Sequence, residues 1–320
     1  MKTALITGIT GQDGSYLAEF LIDKGYRVIG MVRRTSTVDY ERISHIQDQI
    51  EFVHGDLLDQ GSLYEIMDSY QPDEIYNLGG QSNVEQSWSQ AVLTADSTAL
   101  GVTRLLDCIR QVSPRARFYQ ASTSEIFGEP DESPQNEKSR LNPRNPYGVA
   151  KVYGHLIVGN YRQRFGLFAV SGILYNHESP RRGLDFVTRK VAHTVAKIKL
   201  GKAQDLHVGN LDTQRDWGFA GDYVRAMWLM LQQDQPGDYV IGTGFAHTVR
   251  DLCNVAFEAV GLDYRDYIVE DRTFYRPAEK FPLVADPSFA NQTLGWEAEV
   301  AFDELIQMMV EADLKSLSGA

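Results

Sequence analysis

The 320-residue sequence has only two cysteines, Cys108 and Cys253, and both fall within apolar helical patterns. This pair gives neither a disulfide framework nor a zinc-binding spacing, so we expect buried free thiols and a reducing compartment. No apolar run is long enough to span a membrane, and the N-terminal residues lack the apolar core and cleavage site of a signal peptide. We therefore expect a cytoplasmic protein.

Positive charge is also scarce, because 31 lysines and arginines are outnumbered by 43 acidic residues and the formal net charge is −12. Such a chain is unsuited to nonspecific binding of nucleic acid or of an anionic membrane. The sequence lacks an HExxH pattern, and the pair His177-Glu178 has no second histidine, so no metal site is predicted. An anionic ligand must then be bound by a local basic cluster.

The first glycine-rich stretch, Gly8 to Gly14 (GITGQDG), lies between the predicted strand Thr3 to Thr7 and an amphipathic helix that extends to about Lys24. Glycines allow positive φ angles and a close backbone approach, so a pyrophosphate can sit on the N–H groups at the start of the helix. The spacing is GxxGxxG and differs from the GxGxxG fingerprint. We interpret the stretch as a dinucleotide-binding turn, with a simple tight turn as the alternative.

The second predicted strand, Arg27 to Val32, ends in Arg33-Arg34. An NAD site would usually place an acidic residue here, where it binds the ribose 2′-hydroxyl. Two arginines instead suit a 2′-phosphate through bidentate hydrogen bonds. The pair therefore favours NADP as the cofactor, although an ordinary basic surface turn would look the same.

Further strand and helix units follow, with strands predicted at 51–54, 74–78 and 117–121. Right-handed crossovers make such a series a doubly wound parallel sheet of the Rossmann type. Asp56 after one strand is placed to accept a hydrogen bond from an adenine amino group. Gly79 and Gly80 after the next would let the backbone pass close to a cofactor. Either feature could equally belong to an ordinary loop.

The stretch 120–151 contains the candidate catalytic residues. The strand ending at Ala121 presents the hydroxyl residues 122–124 and Glu125 at the sheet edge where ligands bind in open α/β sheets. A helix predicted from Tyr147 to Phe165 places Lys151 one turn beyond Tyr147, on the same side. A nearby ammonium favours the phenolate and lowers a tyrosine pKa from about 10, so the pair is predicted to shuttle a proton. The alternative is that Tyr147 caps a surface helix and Lys151 is solvated.

The second half is locally basic, with Arg181, Arg182, Arg189 and Lys190 close in sequence and Arg215 and Arg276 in later loops. In an acidic protein they are candidates for binding a diphosphate, with a solvated helix face as the alternative for Arg189 and Lys190. A strand predicted at 239–243 could rejoin the main sheet. We therefore expect a nucleotide-binding domain of residues 1–172 plus about 214–244, and a smaller mixed α/β substrate domain of 173–213 plus 245–320.

Taken together, these motifs resemble the extended short-chain dehydrogenase/reductase family, whose members act mostly on nucleotide sugars. Within it, the chain is similar to the GDP-mannose 4,6-dehydratases in the separated stretches TGITGQDG, RFYQASTSE, NPYGVAK, NHESPRRG, FVTRK, RDWGFAGDYV and YRPAE. The resemblance spans nearly the whole chain and implies a lyase that depends on NADP and acts on GDP-mannose. It also implies a homotetramer, since Arg33 to Thr37 resembles the loop by which family tetramers reach a neighbouring cofactor.

The resemblance implies a temporary oxidation of the sugar. Tyr147 would take the proton of the 4-hydroxyl while NADP⁺ accepts hydride from carbon 4, and Lys151 would hold the ribose and lower the tyrosine pKa. Thr123 would hydrogen-bond the oxygen on carbon 4. Glu125 would remove the proton on carbon 5 and assist loss of the 6-hydroxyl as water, before the hydride returns to carbon 6. Ser124 stands where dehydratases of deoxythymidine-diphosphate glucose have aspartate, so Glu125 would be both acid and base.

The same resemblance assigns the binding residues. The cofactor site would comprise Gly8, Thr10, Gly11, Gln12, Asp13, Gly14, Arg33, Arg34, Asp56, Leu57, Leu78, Gln81, Ser82, Tyr147, Lys151, His177 and Arg182. The nucleotide-sugar site would comprise Ser82, Thr123, Glu125, Tyr147, Asn176, Val187, Lys190, Arg215, Arg276 and Glu279.

Three other functions stay open at this stage. The unusual stretch Lys280 to Pro282 near the expected sugar pocket allows a related GDP-sugar such as GDP-mannoheptose. A 4-epimerase or 4-keto reductase would use the same fold but lack a glutamate at position 125. A noncatalytic NADP-sensing regulator would have little need for Tyr147, Lys151 and Glu125 together.

Overall fold

The computed structural model describes residues 1–35, 39–274 and 280–319. The predictions for Thr37, Arg276 and Glu279 therefore fall outside the described residues.

The first half of the chain alternates strands and helices. Its elements are β1 (Thr3–Thr7), α1 (Gln12–Asp23), β2 (Arg27–Val32), β3 (Ile50–His54), α2 (Gln60–Tyr70), β4 (Glu74–Asn77), α3 (Gln86–Ser89), α4 (Ala91–Thr94), α5 (Gly101–Val112), β5 (Arg117–Ala121), α6 (Pro146–Phe165) and β6 (Ala169–Leu174). Short 3-10 segments lie at Glu41–Gln49 and Ser124–Ile126, and a π-helical turn at Ala95–Leu100 leads into α5.

The second half contributes shorter strands and five longer helices to the described residues. They are β7 (Asn176–Glu178), α7 (Val187–Lys199), β8 (Leu206–Val208), β9 (Gln214–Arg215), β10 (Trp217–Phe219), α8 (Ala220–Gln232), β11 (Asp238–Ile241), β12 (His247–Thr248), α9 (Val249–Glu258), β13 (Ile268–Glu270), α10 (Ser288–Leu294) and α11 (Phe302–Ser318). Further 3-10 segments lie at Tyr264–Asp266 and Arg272–Phe274.

Within the described residues, seven parallel strands form one sheet in the order β11-β6-β5-β4-β1-β2-β3. Side chains alternate between the two faces of a strand, so neighbours such as Leu5 and Ile6 in β1 enter different hydrophobic clusters. Both faces are covered by helices, which confirms the predicted doubly wound sheet. The strand predicted at 239–243 is β11 and pairs in parallel with β6.

Helix α6 positions the tyrosine and the lysine. It is capped by Asn145, whose side-chain oxygen accepts a hydrogen bond from the Gly148 N–H at 2.7 Å. Pro146 suits the first helical position because the missing N–H has no helical partner there. Tyr147 and Lys151, one turn apart, both lie on the buried face.

The smaller lobe has its own core, built by α7, α9 and α11. A buried carboxylate, Asp313 of α11, pairs with Arg189 and accepts a 3.1 Å hydrogen bond from the His193 ring. Arg189 also donates to the Pro180 carbonyl at 3.0 Å. The guanidinium of Arg189 is therefore engaged within the protein, whereas the hypothesis from the sequence included it in a basic ligand cluster.

Among the described residues, none of the helices combines the length and the apolar character that crossing a bilayer would require.

Candidate functional site

A cleft of about 660 Å³ opens at the carboxyl edge of the parallel sheet. The loops that follow β1, β2, β3, β4, β5 and β6 all contribute to it, as expected for ligand sites in open α/β sheets. Of the residues predicted for ligands and chemistry, it is lined by Gly8, Thr10, Gly11, Gln12, Asp13, Gly14, Arg33, Asp56, Leu57, Leu78, Gln81, Ser82, Thr123, Glu125, Tyr147, Lys151, Asn176, His177 and Arg182.

The glycine turn leaves no room for side chains at two positions. Gly8 has a φ of 71°, and a Cβ there would lie 2.9 Å from the Gly79 nitrogen. A Cβ on Gly14 would lie 2.3 Å from the Gly8 carbonyl oxygen. No side chain caps α1, so its first N–H groups face the cleft as an anion site.

Replacement of Gly14 by alanine should lower the free energy of unfolding by about 2 kcal/mol, because the added methyl group overlaps backbone atoms. Thermal unfolding with and without a nicotinamide dinucleotide measures the effect, and the variant should also lose stabilisation by the nucleotide. Gly159→Ala in α6 is the control, since a Cβ there meets nothing within 4 Å. Equal melting temperatures for both variants would contradict the close packing of the turn.

Unpartnered polar atoms in the cleft also fit a dinucleotide. Among the described side chains, Gln81 Oε1 and Ser122 Oγ are buried without a hydrogen-bond partner, and both residues line the cleft. Buried polar atoms in this condition destabilise a protein unless a ligand or water satisfies them. With the glycine turn, they form a site suited to a group rich in hydroxyl and phosphate oxygens.

Tyr147 and Lys151 lie side by side, with the lysine Nζ 5.6 Å from the centre of the tyrosine ring. The ammonium donates a 2.7 Å hydrogen bond to the Ala121 carbonyl. Burial raises the pKa of Tyr147 to about 12, although a hydrogen bond with Thr123 opposes the rise. Burial also lowers the pKa of Lys151 to about 8.

The pKa of Tyr147 in the protein by itself therefore lies above its ordinary value, opposite to the predicted direction. Removal of the phenol from water disfavours the phenolate more than Thr123 and Arg182 favour it, and the carboxylates of Glu125 and Asp13 disfavour it further. At neutral pH Tyr147 is a phenol that can donate a proton. Further positive charge or a hydrogen bond from a ligand is needed before it can accept one.

Glu125 faces the same cleft as Tyr147. Its carboxylate accepts a 2.8 Å hydrogen bond from the side-chain nitrogen of Asn145, and its backbone N–H donates to Thr123 Oγ1 at 3.3 Å. Asn145 thus caps α6 with its oxygen and orients Glu125 with its nitrogen. The sequence analysis missed this role, although an asparagine before a proline at a helix start signals the cap.

Phe186 is a second residue that the sequence analysis missed. Its ring lines the cleft, and the guanidinium carbon of Arg182 lies 3.5 Å from its centre. Arg182 also forms a 3.2 Å ion pair with Glu178. A lone phenylalanine before a helix carries no sequence signal for such a contact.

Of the residues assigned to the cofactor and nucleotide-sugar sites that the structure describes, four lie outside the lining of this cleft, namely Arg34, Val187, Lys190 and Arg215. Val187 and Lys190 belong to the first turns of α7, and Arg215 lies in β9. Lys190 Nζ is 3.6 Å from the ring centre of Phe274, where the chain enters the segment 275–279. Their ligand roles stay predictions.

Three features define a protein of the short-chain dehydrogenase/reductase class. They are the parallel sheet, the glycine turn at the uncapped start of α1, and the Tyr147–Lys151 pair. A family profile described as GDP-mannose 4,6 dehydratase matches residues 5–309. The chain is 48% identical to GDP-mannose 4,6 dehydratase of Cricetulus griseus, over 98% of this chain and 92% of that protein. It is 47% identical to GDP-mannose 4,6-dehydratase of Yersinia enterocolitica, over 98% and 94%. The chain belongs to the GDP-mannose 4,6-dehydratase family.

Solved structures agree on the fold. UDP-glucose 4-epimerase of Thermotoga maritima superposes with a TM-score of 0.87 at 24% identity, covering 98% of this chain and 99% of that one. A dTDP-glucose 4,6-dehydratase of Streptomyces venezuelae gives 0.86 at 23% identity, covering 99% and 98%. These similarities extend the fold assignment to both lobes.

Proposed function

We propose that the protein is an NADP-dependent GDP-mannose 4,6-dehydratase that releases GDP-4-keto-6-deoxymannose and water. The observation that carries this proposal is the convergence of Glu125, Tyr147 and the glycine turn on one cleft. An epimerase or a simple reductase needs the tyrosine and the nucleotide turn, but it has no need of a second acid–base group beside them. Family membership agrees with the same activity.

The residues that would hold the dinucleotide are those of the glycine turn with Arg33, Asp56, Lys151 and Arg182, which together fit a phosphate-rich ligand. When bound, a nicotinamide would supply reversible hydride transfer, and its positive charge would favour the phenolate of Tyr147. Lys151, anchored on the Ala121 carbonyl, is placed to hold a ribose hydroxyl.

Tyr147 and Glu125 would carry out different proton transfers. Tyr147, hydrogen-bonded by Thr123, would accept the proton of the sugar's 4-hydroxyl and later return it. Glu125, oriented by Asn145, would remove the proton from carbon 5 and deliver a proton to the departing 6-hydroxyl. Ser124 has no carboxylate to share that work, so one side chain performs both transfers.

The nucleotide-sugar would extend from this cleft toward the smaller lobe. We propose that Ser82, Asn176, Val187, Lys190, Arg215 and, beyond the described residues, Arg276 and Glu279 bind it. The cation of Lys190 beside Phe274 supports a diphosphate near the start of α7. We also propose two domains. Residues 1–172 plus about 214–244 would bind the dinucleotide, and residues 173–213 plus 245–320 would bind the nucleotide-sugar.

Arg33 should determine the preference for NADP. Both Arg33 and Arg34 follow β2 and are exposed, but only Arg33 lines the cleft. Arg33→Ala should weaken NADP binding by about 10- to 100-fold, because a charge-assisted bond to the 2′-phosphate is lost. Calorimetric titration with NAD is the control and should change by less than threefold. Equal losses for both nucleotides would contradict the assignment.

We propose a homotetramer that uses an apolar face of α6. Val149, Tyr153 and Leu156 are 55%, 39% and 52% exposed at helical spacing, and Leu93 and Leu100 are exposed on the neighbouring segment. Such a stripe is typical of an interface between copies. The loop Arg33 to Thr37 would supply the second contact.

Leu156→Glu should therefore give a smaller assembly than the unaltered chain, because a carboxylate would enter the apolar contact. Light scattering after size-exclusion chromatography measures the mass. Val269→Glu is the control, since Val269 is 39% exposed in β13 of the other lobe. A tetramer in both variants would place the interface elsewhere.

The activity is tested by incubating the protein with GDP-mannose and NADP⁺ without added reductant. Mass spectrometry should show a product lighter by one water. An epimerase would leave the mass unchanged, and an inert protein that binds NADP would indicate a sensor. Parallel incubations with GDP-mannoheptose and other nucleotide sugars identify the preferred sugar.

A further inference from the structure

A buried junction joins the glycine turn to the start of the smaller lobe. Asp13 Oδ2 lies 2.8 Å from His177 Nε2, and His177 Nδ1 lies 2.7 Å from the Tyr175 carbonyl oxygen. Gln12 donates to the His177 carbonyl at 3.0 Å and accepts from Ser179 Oγ at 2.8 Å. The first turn of α1 is therefore tied to β7 through both backbone and side-chain atoms.

The partners of the His177 ring fix its protons. A carbonyl oxygen can only accept, so Nδ1 must carry a hydrogen. An ionised carboxylate also only accepts, so Nε2 must carry one as well. A neutral ring has one N–H and would direct a lone pair at one of these oxygens.

The alternative location for the second proton is Asp13 itself. The Gln12 amide is oriented by the His177 carbonyl, so its nitrogen also faces Asp13 Oδ1 and donates to it at 3.0 Å. Although burial opposes ionisation, the charge and hydrogen bond of His177 lower the pKa of Asp13 to about 2. Burial favours a neutral His177, but Asp13 outweighs it and raises the pKa of the ring. Both effects place the proton on the imidazole.

Arg182 also favours the ionised form of Asp13, but the ion pair that Asp13 forms among the described residues is with His177. Arg182, from the loop after β7, opposes a positive charge on the ring, and Tyr223 of α8 stacks on it at 4.7 Å. Asp13 also interacts electrostatically with Lys151 and Tyr147 across the cleft. The junction thus belongs to the charge balance of the cofactor site.

We infer that His177 is held as an imidazolium cation that neutralises Asp13, so that the junction between the glycine turn and β7 closes only when the ring is protonated. The role in cofactor binding rests on the proposed function, whereas the charge state of the ring does not. His177 is a positioning residue in this proposal, since its ring acts through Asp13.

Loss of the proton from the His177 ring would leave the negative charge of Asp13 without its ion-pair partner. The Asp13 carboxylate would then repel the pyrophosphate of a dinucleotide, which would bind beside it at the start of α1. Two lone pairs would face each other across the former contact, and the junction would open. Affinity for NADP should therefore be constant around pH 7 and fall as the pH rises through the raised pKa of His177.

The charge state can be read directly from nitrogen-15 solid-state spectra of the protein labelled on its seven histidines. The spectrum is assigned by His177→Gln and His155→Gln. His155 is the internal reference, because burial lowers its pKa and its Nδ1 is buried without a partner among the described residues. At pH 7.5, about one unit above an ordinary histidine, His177 should show two protonated nitrogens and His155 a neutral ring. A neutral His177 would overturn the proposal.

Titration of the same proteins with NADP⁺ over a range of pH tests the role in binding. His177→Gln leaves Asp13 unneutralised and should weaken binding about tenfold or more at neutral pH. Asp13→Asn with His177→Gln removes both charges and should recover most of that loss. Asp13→Asn alone should lose the part of the alkaline fall in affinity that comes from His177.

A merely structural role for the histidine would leave the double variant as weak as His177→Gln, and that result would overturn the proposal. An alkaline fall in Asp13→Asn with the same size and midpoint as in the unaltered protein would do the same. If the protein bound no NADP at all, the proposed function would fail, while the nitrogen spectrum would still decide the charge of His177.

Discussion

Replacement of Tyr147 by phenylalanine should lower the turnover of GDP-mannose about a thousandfold, within the range for loss of an acid–base group. The phenol is buried in the cleft, hydrogen-bonded by Thr123, and is the group placed to exchange the proton of the 4-hydroxyl. Without it the first oxidation cannot begin, so every later step stops as well. Steady-state kinetics gives the loss in kcat, and KM should change little because the ring is kept.

Tyr153→Phe is the matched control for this variant. Tyr153 lies in the same helix, is 39% exposed, and its hydroxyl contacts Thr103 at 3.0 Å outside the cleft. It should keep normal turnover per active site. If Tyr147→Phe kept more than a tenth of the normal kcat, another group would be the base.

Glu125→Gln should also reduce product formation about a thousandfold, but at a later step. Glutamine keeps the size of the side chain and can still accept the hydrogen bond from Asn145. It cannot take the proton from carbon 5, so the 4-keto sugar should form and go no further. A single-turnover experiment should then show reduced nicotinamide accumulating in absorbance, which Tyr147→Phe should not show.

Glu129→Gln provides the control for that experiment. Glu129 is a half-exposed carboxylate on the same loop and lies 3.9 Å from Arg144. It should turn over normally without accumulating reduced nicotinamide. If Glu125→Gln released product at the normal rate, the eliminating base would be a different residue.

The sheet could be predicted closely from the sequence because its signals are local. The apolar runs that form β1, β2 and β5 coincide with the predicted strands, and Tyr147 and Lys151 share a helical face through spacing alone. Glycine turns and strand ends then bring the candidate functional residues to one edge of the sheet.

What the sequence could not show depends on contacts between distant segments. Asp13 and His177 are separated by 164 positions, and nothing local indicates that their side chains meet. From the sequence alone, Arg189 is a candidate ligand-binding cation, because only the fold shows that Asp313 of the last helix lies beside it. The pKa of Tyr147 was predicted in the wrong direction because burial is a property of the whole fold.

The central claim, that one hydride leaves carbon 4 and returns to carbon 6 while Glu125 eliminates water, is tested most directly with GDP-mannose deuterated at carbon 4. The protein is incubated with this substrate and catalytic NADP⁺, with no added reductant. The expected product is lighter by one water and carries the deuterium at carbon 6. A product of unchanged mass, or a dehydrated product without the deuterium, would contradict the proposed mechanism.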